Sequence, residues 1–567
     1  MERVPDPRDV RRHSHARPPR IGRNISEEPR IDIYIRRHGL GEVEVFFPDY
    51  PAQFQKDTHC YSTHKAFVSV LPMYKLFWSA LAATATALPS AVSATSKNTT
   101  CQVVAAEMPG RVIFPSDDAY SASQGSYFAG QARDMKPGCI FMPTTTDEVS
   151  RFVRTVGART GPDAKFAVRG GGHTLWKGAA NIDNGITVDM RHMSGVVLSA
   201  DGSVASLGPG GRFGDVYHSL KPHNLTVMGG RVPSIGVGGF LTSGGMTFLS
   251  RRHGFACDSV LGYEIVLASG EVLGNVTQAS HPDLWLALKG GINNFGIVTR
   301  FDVATYPSDS MWYDVVRYNY SEGVLKAQAR EFSRFMSPGA SFDPDAMMGI
   351  FLDYAGGNFF VRDTLWHTGG VANPPVYKPF RDIPNLGGSG KLLAVADVVD
   401  TFGADIPAST SRAFQLDWSF VNPPAEVYME LFKIWEDGVK TLSDVEGFFV
   451  EFLTQPQSVV AKGTPSLFGL EPGRTDNAMM LMTAGYASAA DDERVRVGIL
   501  GIVRAQRGLL RRKGYLLDFI YANYADKSQG VYESWGADSV TKLQAASRKY
   551  DPQGVFQKRV PGGLKVF

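Results

Sequence analysis

Glycine is the feature that most constrains this chain: there are 60 among 567 residues, and they crowd between Gly157 and Gly296. Glycine costs conformational entropy on folding, so a crowd of this kind marks tight turns or places where backbone must come close to something. Two runs stand out. In the first, Phe166-Ala-Val enters Arg169-Gly-Gly-Gly-His173-Thr. A strand ending in three glycines brings main-chain groups to an anion or ring without Cβ clashes, with the histidine pointing into the same space. The second, Gly236-Val-Gly-Gly-Phe-Leu-Thr-Ser-Gly-Gly245, is a cradle suited to a pyrophosphate. Neither run reads GxGxxG, and no GxxxxGK[ST] occurs, so the usual Rossmann and P-loop readings fail.

The length exceeds one ordinary core, so two globular domains plus tails are expected. Hydrophobic residues at 43% and charged residues at 20% fit a soluble globular protein. A net charge of +2, with much of the basic excess in the first 40 residues, argues against nucleic-acid or membrane-surface partners. The four cysteines lack CxxC spacing, and His218 and His223 lack acidic or thiol companions, so no metal site is expected. Residues 1–72 are Arg- and Pro-rich and read as a disordered basic extension or as the product of a start codon placed too far upstream. Residues 73–94 have a signal-peptide layout: Met73-Tyr-Lys, an apolar run from Leu76 to Leu88, then Ala91-Val-Ser-Ala94. If translation starts at Met73, secretion follows, a Cys101–Cys139 disulfide is expected, and of the five N-x-[ST] sequons, at Asn24, Asn98, Asn224, Asn275 and Asn319, the four downstream of Met73 become candidate glycosylation sites.

From Cys139 onward short strands and helices alternate. Thr146 is the expected N-cap of a helix running to about Gly157, with Asp147 and Glu148 in its first turn. Strands are expected at Phe166–Arg169, Ile186–Met190 and Ser203–Leu207, a helix at Phe213–Leu220, and a hairpin turning at Ala268-Ser-Gly-Glu. Past Pro307 the glycine density falls, which sets a domain boundary near residue 308. Glu322–Phe335 and Pro424–Thr441 read as helices, Ala346–Tyr354 and Ala478–Tyr486 as strands, and Pro374–Gly390 as an exposed loop.

These motifs resemble, in order, the vanillyl-alcohol oxidase and p-cresol methylhydroxylase (PCMH) flavoproteins in their berberine-bridge-enzyme-like branch. The likeness covers about 101–307 and 515–560. It is carried by Pro143-Thr-Thr-Thr-Asp-Glu-Val, the two glycine runs and His253-Gly-Phe-Ala-Cys-Asp-Ser-Val. Asp283-Leu-Trp-Leu-Ala-Leu-Lys-Gly-Gly, Asn294-Phe-Gly-Ile-Val-Thr, Tyr521-Ala-Asn-Tyr and Lys549-Tyr-Asp-Pro complete it. The resemblance implies an α+β fold. A PCMH-type FAD-binding domain of two subdomains (101–307) would be completed by a C-terminal segment (513–567), with an α+β substrate domain (308–512) inserted. It implies that His173 bonds FAD covalently. It also implies that Gly170, Gly171, Gly172, Thr174, Gly239, Ser243, Gly244, Gly245, Ile297 and Val298 line the cofactor, with Asn523 reaching back toward it. Val232 stands where many relatives carry a second flavin-bonding cysteine, so one covalent bond is expected. Gly230, two positions earlier, is the small residue that in this family accompanies oxygen access to the flavin.

The expected activity is that of an FAD-linked oxidase. Hydride passes from an alcohol or biosynthetic intermediate to the flavin, and molecular oxygen is the acceptor, as in fungal secondary-metabolite oxidases. Alcohol oxidation also needs a base. Tyr521 and Tyr524 are candidates, and Glu451 is a carboxylate alternative by strand position, read more readily as a solvent-facing residue. A secreted carbohydrate oxidase and a flavin-binding protein without turnover are the alternatives.

Overall fold

A computed structural model describes the backbone of a hairpin, Tyr34–His38 and Glu42–Phe46, and residues 92–567 apart from positions 162, 309, 340, 341, 407 and 408. The remainder of the basic extension and most of the signal-like segment lie outside the described residues. Residues Leu88–Phe567 form one compact unit built on three sheets.

The first sheet has four strands in the order Val112–Ile113, Cys139–Phe141, Ile186–Asp189 and Phe166–Arg169. The last three run parallel and are almost wholly buried, as strands covered on both faces must be. Helix Thr146–Arg159 covers one face through Val149, Phe152, Val153 and Val156. Its N-cap is Thr145, not Thr146: Thr145 is extended, and its hydroxyl accepts from the Glu148 backbone N–H. In a run of three threonines composition cannot choose the cap; the backbone geometry does. Cys101 and Cys139 are joined in a disulfide that ties helix Val92–Glu107 to this sheet.

The second sheet, of six strands, is centred on Ile297–Pro307, with the hairpin Val260–Val266 and Val272–Thr277 at one side. Gly270, at φ +80, makes the hairpin turn.

The third sheet has eight antiparallel strands. Its first full-length strand is Met311–Tyr318 and its far edge is the short strand Leu516–Leu517. Alternation gives it two faces. Val450, Phe452, Met480, Met482, Trp418 and Phe420 pack under helices Glu322–Phe335, Ala425–Lys440 and Asp492–Lys513. Residues of opposite parity on the same strands look the other way, onto the cavity described below.

The segment 374–390 is not simply an exposed loop. It forms a short helix, Lys378–Arg381, and buries Tyr377 and Phe380. The Tyr377 hydroxyl donates to the carbonyls of Met347 and Trp366, an anchor that Pro and Gly counts do not reveal. After Leu517 the chain returns to the first two sheets. Phe556 packs edge-on to Phe166, and the Phe166 N–H donates to the Arg559 carbonyl at 2.8 Å.

Candidate active site

A cavity of about 390 Å³ lies among the two glycine runs, the six-stranded sheet and the exposed face of the eight-stranded sheet. One wall is main chain. A Cβ on Gly171 would stand 2.6 Å from the Cα of Gly236, and one on Gly236 would stand 2.3 Å from the Gly171 nitrogen. The two runs, 65 positions apart in sequence, therefore touch backbone to backbone. Gly239, by contrast, has nothing within 4 Å of its missing Cβ and opens onto the cavity. Beneath the first run, Arg169 is buried. It donates to the Ser123 carbonyl and Ser126 Oγ, pairs with Asp189 at 3.4 Å and stacks on Tyr127 at 3.6 Å. This clamp fixes the loop from below. Gly172, at φ +69, has no room for a Cβ beside the Arg169 guanidinium. Gly171→Ala should therefore separate the two runs. Overpacking of this kind costs roughly 1–3 kcal/mol, and the variant should purify with little of the visible flavin absorbance of the wild type.

His173 stands at the end of the first run. Its ring stacks on Phe128 with centroids 4.1 Å apart, and its Nε2 meets Ser234 Oγ at 3.1 Å. Burial, reinforced by Arg212, lowers its pKa to about 4. The imidazole is therefore neutral near pH 7, with lone-pair density to share. A backbone cradle beside a fixed neutral imidazole fits a long, flat cofactor with an anionic middle.

The cavity wall brings together Gly170, Gly171, Gly172, Thr174, Gly239 and Ser243, with Ile297 and Val298 at the six-stranded sheet. Gly244 and Gly245 do not line it. They turn behind the cradle at φ +117 and +84, and the Gly245 N–H donates to Asn523 Oδ1 at 3.1 Å. Asn523, itself on the wall, also donates to the Phe240 carbonyl, which pins the C-terminal segment to the cradle.

Across the cavity lie the three acid–base candidates. Tyr521 is buried, its hydroxyl accepts from the Met246 N–H at 2.5 Å, and burial pushes its phenol well above the ordinary value. Such a group holds its proton and serves structure. The Tyr524 hydroxyl instead accepts from Arg231 at 2.8 Å. Glu451 is not a solvent-facing strand residue. It points from the eight-stranded sheet into the cavity, and Arg362 donates to it at 2.8 Å while also holding Asp353 at 2.9 Å. Burial, together with neighbouring Asp353, raises the Glu451 pKa above the usual carboxylate range, while Arg362 and Arg231 pull it back.

Arg231 was not legible as a functional residue. It is buried on the cavity wall, between Tyr524 and Gln455 Oε1 at 2.9 Å. Its place directly after Gly229-Gly230 was the only signal. His218 pairs with Asp400, His253 packs on Tyr306, Cys257 and Trp285 are core, and no His/Cys/Asp/Glu cluster able to hold a metal occurs among the described residues.

Residues 137–274 match the FAD binding domain family. The chain is 33% identical to the FAD-dependent monooxygenase CTB5 of Cercospora beticola, over 80% of this chain and 89% of that protein. The chain belongs to the FAD-dependent oxidoreductases. A second relative of this oxidoreductase is the bifunctional solanapyrone synthase of Alternaria solani, 29% identical over 84% of this chain and 92% of that one. Among solved structures, the glucooligosaccharide oxidase of Acremonium strictum, described with a 6-S-cysteinyl, 8α-N1-histidyl FAD, superposes with a TM-score of 0.64 at 19% identity. It covers 81% of the oxidoreductase and 97% of that chain, a likeness of fold: α+β, of the PCMH type. No helix among the described residues is long and apolar enough to cross a membrane.

Proposed function

We propose that the oxidoreductase is an oxidase of a small biosynthetic molecule, carrying FAD on a single covalent bond to His173. The observation that supports it most is one continuous cavity with a backbone cradle and a neutral histidine on one side and an acid–base group, Glu451, on the other. FAD held by Gly170–Gly172, Gly239, Ser243 and His173 would supply two-electron redox chemistry, as acceptor for the hydride of a substrate C–H and donor to oxygen, giving peroxide. The chain supplies the rest. Glu451 takes the hydroxyl proton of the substrate, Arg362 keeps that carboxylate aimed, and the apolar walls exclude water. Val232 lines the cavity and has no thiol, so no second bond forms.

Gly230 also lines the cavity, hard against Ile235 and Phe213, where a Cβ would come within 2.9 Å of Ile235. That packing alone requires a glycine here, so its part in oxygen access rests on the family resemblance and is tested by reoxidation. Stopped-flow mixing of reduced enzyme with oxygen should give reoxidation within seconds and one peroxide per oxygen consumed. Reoxidation over minutes would count against an oxidase. Oxygen uptake without peroxide would replace the reading by insertion of oxygen into the substrate.

A further inference from the structure

The face of the eight-stranded sheet that meets the cavity is ordered in rows. Asp353 is paired in register with Glu451, Glu451 with Thr483, and Thr483 with Gln415, so four polar side chains stand side by side across four strands. Two residues along, three of the same strands place Phe351 beside Leu453 and Leu453 beside Leu481, while the fourth places the buried Asp417, which accepts from the Tyr521 N–H, beside Leu481. Phe351, Leu453 and Leu481 form one apolar cluster, against which Phe402 and Tyr524 pack. Two residues further, Gln455 holds Arg231, which also meets Tyr524 and lies 5.4 Å from the Trp366 ring. The floor is thus an apolar band with Glu451 at one margin and a buried guanidinium at the other. Glu451 and Gln455, four apart on a strand, are about 13 Å apart along the backbone; the Arg231 guanidinium reaches in from Gln455 close enough to act on the Glu451 carboxylate, so the space between the two charged groups is shorter than that and suits a compact skeleton of about two rings.

Two of the five N–H donors of Arg231 are spent on Gln455 and Tyr524. Neither partner is a carboxylate, so the cation is buried without a matching protein anion in contact, and buried charges ordinarily need one. The apolar middle row offers no hydrogen bond to the hydroxyls of a sugar laid across it, which would lose water there without replacement.

We infer that the substrate is a flat, apolar, two-ring molecule with an acidic oxygen, carboxylate or enolate, that pairs with Arg231 while its opposite edge meets Glu451. This rests on the same cavity as the oxidase reading but concerns binding, and it is tested without turnover.

Calorimetric titration of the flavin-loaded enzyme is the test, with 2-naphthoate, methyl 2-naphthoate, 4-hydroxycoumarin, 4-methoxycoumarin and cellobiose as probes. At least one acid should bind ten-fold or more tightly than its methylated partner; which pair does so separates carboxylate from enolate. Cellobiose should give no heat. Arg231→Gln should reduce the preference to under about two-fold with the ester or ether still bound as before, and Arg231→Lys should keep part of it. Equal binding of both acids and their methylated partners by the wild type overturns the inference, as does tight binding of cellobiose or an unchanged preference in Arg231→Gln. The wild-type comparison decides even if the variants do not fold. An enzyme that binds the acid but whose flavin no substrate reduces removes the oxidase reading and leaves this one standing.

Discussion

His173→Ala is expected to release the flavin. Acid-precipitated wild type should stay yellow and fluorescent in the pellet, whereas the variant should leave its flavin in the supernatant. The side chain has the state that the bond requires. Its pKa of about 4 keeps it uncharged, and Phe128 and Ser234 hold its ring in place. Turnover should fall by about ten-fold or more, each factor of ten being ~1.4 kcal/mol of barrier. The cradle formed by Gly171 and Gly236 does not depend on the imidazole, so the variant should still fold and take up FAD reversibly. Peptide mapping of the wild type should find flavin on the His173 peptide alone; flavin on any cysteine would defeat the argument from Val232.

The second large effect is expected from Glu451→Gln. Loss of a positioned general base lowers rates by about 10²–10⁴-fold, and kcat should fall by that order while flavin content stays at the wild-type level. The amide keeps the size of the side chain and an oxygen for Arg362. The pH profile separates chemistry from structure. A base works only when deprotonated, and burial raises the pKa of this carboxyl, so wild-type kcat should fall as pH drops through a value above the usual carboxylate range. Asp353 shares Arg362, so that limb reports the pair. In Glu451→Gln the limb should be absent. A variant with wild-type kcat would remove Glu451 from the chemistry and leave Tyr524, beside Arg231, as the base.

The sequence by itself determined where the two glycine runs meet. Gly171 and Gly236 can only be glycine, because each occupies the space a Cβ of the other would need, and constraints of that kind are written in residue identity. Local periodicity likewise determined helix Glu322–Phe335, whose ends match the apolar repeat and its Ser321 cap. Tertiary structure alone decided the opposite wall. Glu451 faces the cavity because strand Phe449–Pro456 lies between Ala346–Ala355 and Asn477–Tyr486 with helices covering its other face, and no window around residue 451 contains those neighbours. Arg231 became visible for the same reason: Gln455 and Tyr524, which hold it, are 224 and 293 residues away. A glycine contact is enforced by what one residue lacks. A charged pocket is assembled from strands that meet only after the chain has folded.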